Sequence, residues 1–225
     1  MHVVVVANGA LTNGHQLLAL VRGADLVVAA DGGANWLWRH GLSPAVLIGD
    51  LDSVTPAVLA ALEAAGCTVL RHPTAKDETD AELALLYAAQ RAPSRITLIG
   101  ALGGRIDHEL ANLMLLALPE LQGLQAAIYD GATWVRLLPE GPSELAGAAG
   151  DTVSLLPLGG DCHGITTSGL AYPLCDESLY VGAARGVSNV MLGCTARITV
   201  RSGRLLLVHT PSEASEASGA QEVSP

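Results

Sequence analysis

Aspartates recur in this sequence in short clusters whose spacing suits the binding of a metal ion. Asp50-Leu51-Asp52 sets two carboxylates on either side of one leucine, and Asp77 and Asp80 stand three positions apart. In an extended chain, residues two apart point to the same side, and residues three apart can converge across a helix start. Carboxylates, phosphate oxygens and water make an all-oxygen site, which suits Mg²⁺. A Mg²⁺ site is therefore predicted, although a lone Asp-x-Asp pair can also simply cap a turn.

Lys76 is the only lysine in the chain, and it lies within the second acidic cluster, Lys76-Asp77-Glu78-Thr79-Asp80. Its ammonium is a compact point charge, which a planar guanidinium does not replace beside carboxylates. Ala75 precedes it and Asp77 follows it, so it does not belong to a Gly-Lys-Ser/Thr phosphate-binding loop. Any phosphate must be bound by another route.

Two glycine pairs stand beside further charged residues, in Asp31-Gly32-Gly33 and in Gly103-Gly104-Arg105-Ile106-Asp107-His108. Glycine permits close backbone approach, and backbone amides at helix starts attract phosphate. Arg105 adds a candidate phosphate clamp, and Asp107-His108 is a candidate catalytic or orienting pair. Tight strand-to-helix turns without a ligand are the alternative interpretation of each glycine pair.

The first half of the chain alternates short apolar runs with longer helical patterns. Near-continuous β-branched runs are typical of parallel strands covered on both faces. Thr79-Asp80-Ala81-Glu82 has the form of a capping box, and Thr55-Pro56 places proline at a first helical position. An α/β domain with a doubly wound, mainly parallel sheet is therefore predicted over residues 1–125. Its strands are predicted at Val3–Ala7, Leu26–Ala30, Ala45–Ile48, Thr68–Leu70 and Ile96–Ile99, and its helices around 13–22, 34–40, 56–65, 80–91 and 107–118.

Each acidic or glycine-rich motif follows a predicted strand. In open α/β sheets, ligands bind outside the carboxyl ends of the strands. Four independent motifs at one edge of a sheet indicate a binding site more strongly than any one of them alone.

The pattern changes after about residue 125, where short strand-like runs are separated by glycines. No amphipathic helix interrupts them, so residues 126–210 are predicted to form an antiparallel β-sandwich domain. Ser202-Gly203, between Thr195–Val200 and Leu205–Val208, predicts a hairpin turn. Residues 211–225, rich in Ser, Glu, Ala and Gly, are predicted to be a disordered tail.

By spacing alone, Tyr172 of this second domain is predicted to be an ordinary tyrosine of the sandwich core. Tyr172 follows hydroxyl side chains at Thr166-Thr167-Ser168, and its ring can present a face to a cationic heterocycle. An exposed ring that contacts such a heterocycle is the alternative interpretation. Ser188-Asn189 is, by spacing alone, typical of a turn.

The charge balance restricts the class of partner. Net charge is −10, which makes the chain a poor candidate for binding nucleic acid or an anionic membrane. An anionic nucleotide can still bind if carboxylates hold a divalent cation between them and the phosphates. The four cysteines show no C-x-x-C spacing, and no uncharged stretch approaches the length of a membrane span. Without a basic leader at its start, the chain is expected to be cytoplasmic.

In this order, the motifs resemble those of the thiamin pyrophosphokinase family. The resemblance implies an α/β domain followed by a β-sandwich, and a homodimer with its active site across the subunit interface. It also implies transfer of a pyrophosphoryl group from ATP to the hydroxyl of thiamin, giving AMP and thiamin diphosphate. The matching segments are Ala30–Asn35, Gly49–Ser53, Lys76–Asp80, Gly103–His108, Ser168–Tyr172 and Ser188-Asn189.

The resemblance also assigns roles to residues of this sequence. Mg²⁺ is expected on Asp50, Asp52 and Asp80, with Asp77 as a further catalytic candidate close by. Thiamin is expected to stack on Tyr172, helped by Ser168, Ser188 and Asn189. Relatives often have Trp at the position of Tyr172 and a basic residue at that of Ala171. Binding of ATP and its phosphates is expected at Asp31, Gly32, Gly33, Asn35, Lys76, Thr79, Arg105, Asp107 and His108.

Three other functions remain open at this point. A nucleotide-sugar glycosyltransferase also uses Asp-x-Asp with a divalent metal, but it does not require the Gly103–His108 segment. A pyrophosphokinase acting on a pterin alcohol would use the same chemistry on another acceptor. A non-catalytic thiamin-binding module would need the sandwich residues but not the acidic motifs.

Overall fold

The computed structural model describes residues 1–12 and 14–212, and the chain divides into two compact units. The first runs from Met1 to Gly131 and the second begins at Ala132. Each unit has one of the two architectures that the sequence predicts. Among the described residues, no helix is both long enough and apolar enough to span a membrane.

The first unit is a parallel sheet with helices between its strands. Its strand order is β6-β5-β1-β2-β3-β4, and every neighbouring pair is parallel. The strands are β1 His2–Val6, β2 Leu26–Ala30, β3 Val46–Gly49, β4 Thr68–Arg71, β5 Arg95–Ile99 and β6 Gln125–Tyr129. The helices are α1 Gly14–Arg22, α2 Gly33–Arg39, α3 Pro56–Ala64, α4 Asp80–Ala89 and α5 Ile106–Leu115, followed by the 3₁₀ turn Pro119–Leu121.

Helices cover both faces of this sheet, which explains its near-continuous apolar strands. All five residues of β1 are buried. Val4 and Val6 belong to a core cluster that includes residues of α1, α2 and α3, while α4 packs on β1, β2 and β3. Because successive strand residues point to opposite faces, a strand buried on both sides cannot alternate apolar with polar residues.

The strand order reverses between β1 and β5. From β1 the chain adds β2, β3 and β4 on one side, and β5 and β6 on the other. The loops that leave β1 and β5 stay paired beyond the strand ends, because the Gly9 N–H donates to Gly100 O at 2.7 Å and the Ala10 N–H to Leu102 O at 2.9 Å. Such a switch point opens the crevice in which ligands of doubly wound sheets bind.

The second unit is a sandwich of antiparallel strands. One layer has the order β12-β9-β14-β7 and the other the order β11-β10-β13-β8. Inward-facing residues of both layers, among them Leu155 and Ile198, form one buried core. The strands are β7 Trp134–Leu138, β8 Gly141–Ala146, β9 Thr152–Pro157, β10 Cys162–Ser168, β11 Glu177–Leu179, β12 Asn189–Val190, β13 Thr195–Val200 and β14 Leu205–Thr210.

A buried carboxylate ties the end of the described chain into the second unit. Asp151 is fully buried, and its Oδ2 lies 2.9 Å from His209 Nε2. Burial disfavours the charged carboxylate, but backbone N–H groups of Ser212 and Ala148, together with His209, outweigh it and lower the Asp151 pKa. The carboxylate thus joins its own turn to the end of β14 and the residues that follow it.

Two details differ from the sequence prediction. The predicted domain boundary after residue 125 is too early, because β6 pairs in parallel with β5 and belongs to the first unit. The predicted hairpin at Ser202-Gly203 is wrong. β13 pairs with β8 and β10, whereas β14 pairs with β7 and β9, so this turn crosses between the layers of the sandwich.

Most of the predicted tail, residues 213–225, lies outside the described residues. Residues 211 and 212 of the predicted tail are described. Ser212 is held in place, because its backbone N–H donates to Asp151 Oδ1 at 2.9 Å.

Candidate active site

The Asp50–Asp52 pair lies in the loop that leaves β3. The strand ends at Gly49, and Leu51 has a left-handed backbone with a φ of 68°. The predicted extended spacing is therefore wrong, although Leu51 is buried in the core as predicted. The Asp52 backbone N–H donates to Asp50 Oδ1 at 3.2 Å, which closes a tight turn between the two carboxylates. A left-handed leucine is costly and persists only where surrounding contacts hold it.

Asp31 joins these two carboxylates from the end of β2. One oxygen atom from each of Asp31, Asp50 and Asp52 lies within 4.8 Å of the other two. Asp31 is buried and left-handed, with a φ of 44°. Burial raises the pKa of its carboxyl, despite hydrogen bonds that include one from the Ser53 N–H at 3.3 Å. Carboxylates held this close repel one another, so the arrangement favours a bound cation.

Asp80 approaches the same point from the first turn of α4. A Cβ atom on Gly49 would lie 2.9 Å from the Asp80 carboxyl carbon and 3.1 Å from Asp31 Cβ. Glycine at position 49 is therefore what allows the two aspartates to approach the end of β3. Within the described part of the chain, the buried Asp80 Oδ1 accepts no hydrogen bond. A buried carboxylate oxygen without a hydrogen bond is rare and calls for another partner, such as a cation.

Lys76 is the cation that this structure places among the carboxylates. Its Nζ lies 3.1 Å from Asp80 Oδ1 and 3.7 Å from Asp50 Oδ2. The contact with Asp80 has the distance of an ion pair but not the angles of a hydrogen bond, and Nζ donates to Pro73 O at 3.2 Å. Burial alone would lower the pKa of Lys76, but Asp80 and Asp50 outweigh it and raise that pKa. The lysine is therefore charged at neutral pH.

Asn35 and the glycines of α2 have structural contacts. The Asn35 amide donates to Ser53 O at 2.7 Å and accepts from the Thr55 N–H at 3.0 Å, so it clamps the loop after β3 to α2. A Cβ on Gly33 would lie 2.1 Å from Val6 O, and one on Gly32 would lie 2.4 Å from the Asn8 side chain. These contacts explain Gly32 and Gly33 by close packing against the end of β1.

Thr79 and Asp77, which also belong to the Lys76–Asp80 cluster, differ in their surroundings. Thr79 Oγ1 accepts from the Glu82 N–H at 3.1 Å, which confirms the predicted cap of α4. Thr79 also lines the cavity described below, whereas Asp77 is exposed and does not.

Arg105 and Asp107 bind each other at the start of α5. Arg105 Nε lies 3.1 Å from Asp107 Oδ1, and one of its terminal nitrogens lies 2.6 Å from Asp107 Oδ2. This hydrogen bonding lowers the pKa of the Asp107 carboxyl, which makes it a poor proton acceptor. The Gly104 N–H, predicted to be available to phosphate, donates instead to Glu109 Oε1 at 2.7 Å.

A cavity of about 620 Å³ opens at this edge of the sheet. It is lined by Asp31, Asp50, Asp52 and Asp80 together with Lys76, Thr79, Arg105 and His108. The sequence prediction missed the loop after β1, which contributes Asn8 and Gly9, and it missed Asn112 of α5. The signal was available for the loop, because Asn8-Gly9 follows the first apolar run at the switch point of the sheet. Asn112 carries no such signal; it donates to Ala101 O at 2.8 Å and holds the loop after β5.

In the second unit, Asn189 holds the backbone of Tyr172. Its Oδ1 accepts from the Tyr172 N–H at 3.0 Å, and its Nδ2 donates to Tyr172 O at 2.7 Å. Asn189 is buried, but the tyrosine is 71% exposed, so its ring is not part of the sandwich core. The pair of hydrogen bonds thus presents an aromatic ring to solvent from a rigid backbone.

The two predicted serines flank this arrangement. Ser168 is exposed at the end of β10, and Ser188 is left-handed with a φ of 60°. The Ser188 N–H donates to Ser154 Oγ at 3.0 Å, which fixes the residue before Asn189.

Comparisons with known proteins agree with this two-unit architecture. Residues 17–128 match the family model "Thiamin pyrophosphokinase, catalytic domain", and residues 142–205 match "Thiamin pyrophosphokinase, vitamin B1 binding domain". The first match contains the acidic cluster and the second contains Tyr172 and Asn189.

Individual relatives extend over most of the chain. A thiamine pyrophosphokinase of Bacillus subtilis is 27% identical over 186 residues, covering 82% of this chain and 87% of the relative. Thiamine pyrophosphokinase 1 of rice (Oryza sativa) is 28% identical over 201 residues, covering 78% and 75%. The crystal structure of the Bacillus subtilis thiamine pyrophosphokinase superposes with a TM-score of 0.83 at 26% identity, covering 94% of this chain and all of the other. The chain belongs to the thiamin pyrophosphokinase family.

Proposed function

We propose that this chain catalyses transfer of the pyrophosphoryl group of Mg²⁺-ATP to the hydroxyl of thiamin, giving AMP and thiamin diphosphate. It is then an ATP-dependent diphosphotransferase. The observation that carries the proposal is the convergence of four aspartates and Lys76 on one cavity, in the unit that matches the family's catalytic domain. A polyphosphate needs such a site, because its charge must be neutralised while it is held in line for transfer.

The carboxylates present fit a Mg²⁺ ion. Asp31, Asp50 and Asp52 offer oxygens close enough to converge on one ion, and Asp80 Oδ1 is a buried oxygen without a hydrogen bond. Oxygen-only donor sets of this kind suit a hard cation. We propose Asp50, Asp52 and Asp80 as ligands, as the family resemblance implies, with Asp31 as a further candidate. When bound, Mg²⁺ would neutralise phosphate charge.

The chain's own residues then act mainly by position and charge. Lys76 and Arg105 supply positive charge at the cavity, in a protein whose net charge is −10. The Asn8 and Thr79 side chains also line the cavity and offer polar contacts to a nucleotide. A loose transition state needs little help from a general base, in keeping with the poor basicity of Asp107.

We propose that Tyr172 forms the stacking surface for the cationic ring of thiamin. Its exposed ring, on a backbone that Asn189 holds, is suited to cation–π contact. Ser168 and Ser188 would contribute polar contacts beside it.

The comparisons do not favour the alternative functions. A glycosyltransferase and a pterin-specific enzyme lack support, because both units match thiamin pyrophosphokinase models. A non-catalytic thiamin-binding module would have no use for the aspartates that line the cavity. A cytoplasmic location stays a prediction from the sequence.

The decisive experiment identifies the products. Purified protein with Mg²⁺-ATP and thiamin is expected to release AMP and thiamin diphosphate in equal amounts, and excess EDTA should stop the reaction. Formation of ADP, or turnover of a pterin alcohol but not of thiamin, would overturn the proposed function.

Asp52→Asn is expected to lower kcat/KM by at least ~100-fold, because it removes a charged oxygen from the metal site. Asp77→Asn is the matched control on an exposed aspartate outside the cavity, and it should change kcat/KM by less than about threefold. Steady-state kinetics and circular dichroism of both variants make the comparison. A larger loss for Asp77→Asn than for Asp52→Asn would move the catalytic role from Asp52 to Asp77.

Tyr172→Ala is expected to raise the KM for thiamin by about tenfold, the size of a partly desolvated cation–π contact, with a smaller change in kcat. Tyr172→Phe keeps the ring and should stay close to the original KM. Asn189→Ala should shift KM in the same direction, because it frees the Tyr172 backbone. Equal KM values for Tyr172→Ala and Tyr172→Phe would argue against stacking.

We propose a homodimer with the active site across the subunit interface, as the resemblance implies. An apolar stripe supports a partner surface, because Ile106, Leu110 and Met114 of α5 are 69%, 51% and 60% exposed. These residues stand four apart and so share one face of the helix. Sedimentation should give the mass of two chains, and Leu110→Asp should shift it toward one. A monomeric parent protein, or an unshifted variant, would contradict this interface.

A further inference from the structure

Lys76 occupies the position in the acidic cluster that a cation is expected to hold. Its Nζ lies between Asp80 Oδ1 at 3.1 Å and Asp50 Oδ2 at 3.7 Å. The side chain is only 11% exposed, as is that of Asp50. A further hydrogen bond to Pro73 O at 3.2 Å fixes the ammonium there. These contacts set Lys76 apart from the other ion pairs of the described first unit, Arg71–Glu63 and Arg105–Asp107, whose side chains are half or more exposed.

A divalent ion on the same carboxylates would compete with this ammonium. Mg²⁺ binds carboxylate oxygens at about 2.0–2.1 Å, so an ion held by Asp50 and Asp80 must lie within the space between them. Both carboxylates already face the Lys76 ammonium, at 3.1 Å from Asp80 Oδ1 and 3.7 Å from Asp50 Oδ2. Two cations in one partly buried site repel each other strongly, because low local dielectric weakens screening.

We propose that Lys76 is a resident cation of the acidic cluster, and that the divalent ion displaces it when the metal–nucleotide complex binds. This inference rests on the proposed function for the identity of that complex. The displaced ammonium remains at the cavity, where it pairs with the incoming phosphates. Lys76 thereby lowers the affinity of the nucleotide-free protein for free metal and couples metal binding to nucleotide binding.

The charge balance agrees with such an exchange. Without metal, Lys76 faces Asp50 and Asp80 with Asp31 and Asp52 beside them, so one positive charge offsets four acidic groups. A divalent ion carries twice the charge of the ammonium, so it offsets the negative charge of the carboxylates more fully. The polyphosphate then brings new negative charge, for which a freed ammonium is a suitable partner.

The test measures metal binding in the absence of nucleotide. Mn²⁺ is titrated into the protein, and free Mn²⁺ is followed by electron paramagnetic resonance. Lys76→Met keeps an unbranched side chain of nearly the same length and removes its charge, and it is expected to lower the Kd for Mn²⁺ by about tenfold or more. Lys76→Arg keeps the positive charge but not the compact ammonium, so its Kd for Mn²⁺ should fall between those of the original protein and Lys76→Met.

Arg71→Met is the matched control. It removes one positive charge at the end of the neighbouring β4, where Arg71 pairs with Glu63 outside the cavity. Its Kd for Mn²⁺ should change by less than about twofold, because exposed charges are screened. An unchanged or weaker Kd for Lys76→Met, or an equal gain for Arg71→Met, would overturn the proposal.

A second measurement needs no variant. Because Lys76 is the only lysine, lysine labelled with ¹³C at its ε carbon reports on this one side chain. Its NMR signal should shift as Mg²⁺ saturates the protein, with the same midpoint as metal binding. A signal that stays in place at saturation would show that Lys76 keeps its contacts. Turnover of thiamin by the unlabelled protein is measured separately, so failure of this inference is distinct from failure of the proposed function.

Discussion

Mutual repulsion among Asp31, Asp50, Asp52 and Asp80 is the constraint on which the catalytic unit depends. Four carboxylates meet at one edge of a sheet, partly removed from water. Such a cluster is stable only if the backbone holds the carboxylates together and a cation offsets their negative charge. The backbone does so through left-handed residues at positions 31 and 51 and through Gly49, whose missing side chain makes room. The offsetting charge comes from Lys76.

Strand order explains why these residues meet at all. The aspartates follow β2, β3 and β4, whose carboxyl ends are adjacent because the strands pair in parallel. The reversal between β1 and β5 adds the loops that carry Asn8 and Arg105. A parallel sheet with a switch point thus turns motifs that are distant in the chain into the wall of one cavity. Buried valines and leucines beneath the loops keep that wall rigid.

The second unit holds an aromatic ring, that of Tyr172, exposed to water. A large exposed ring would gain by burial, so its position must be imposed by the backbone. Asn189 imposes it with two hydrogen bonds to the Tyr172 backbone. The Tyr172 N–H donates to Asn189 Oδ1, and Asn189 Nδ2 donates to the Tyr172 carbonyl. The backbone at Tyr172 is therefore held in place, while the ring itself lies outside the core. This arrangement suits a contact made only when a ligand arrives.

The sequence by itself determined the element types, the acidic motifs and the edge of the sheet at which they meet. Apolar periodicity and capping residues such as Thr79 are local signals, and local signals can be interpreted without knowledge of the fold. Tertiary structure alone decided which groups touch. It placed Asp31 among the carboxylates and left Asp77 exposed outside the cavity. It also showed that Asn35 holds the loop after β3 and that the Gly104 N–H donates to Glu109. The reason is physical: contact depends on backbone dihedral angles and on long-range packing, and neither is encoded in the spacing of residues along the chain.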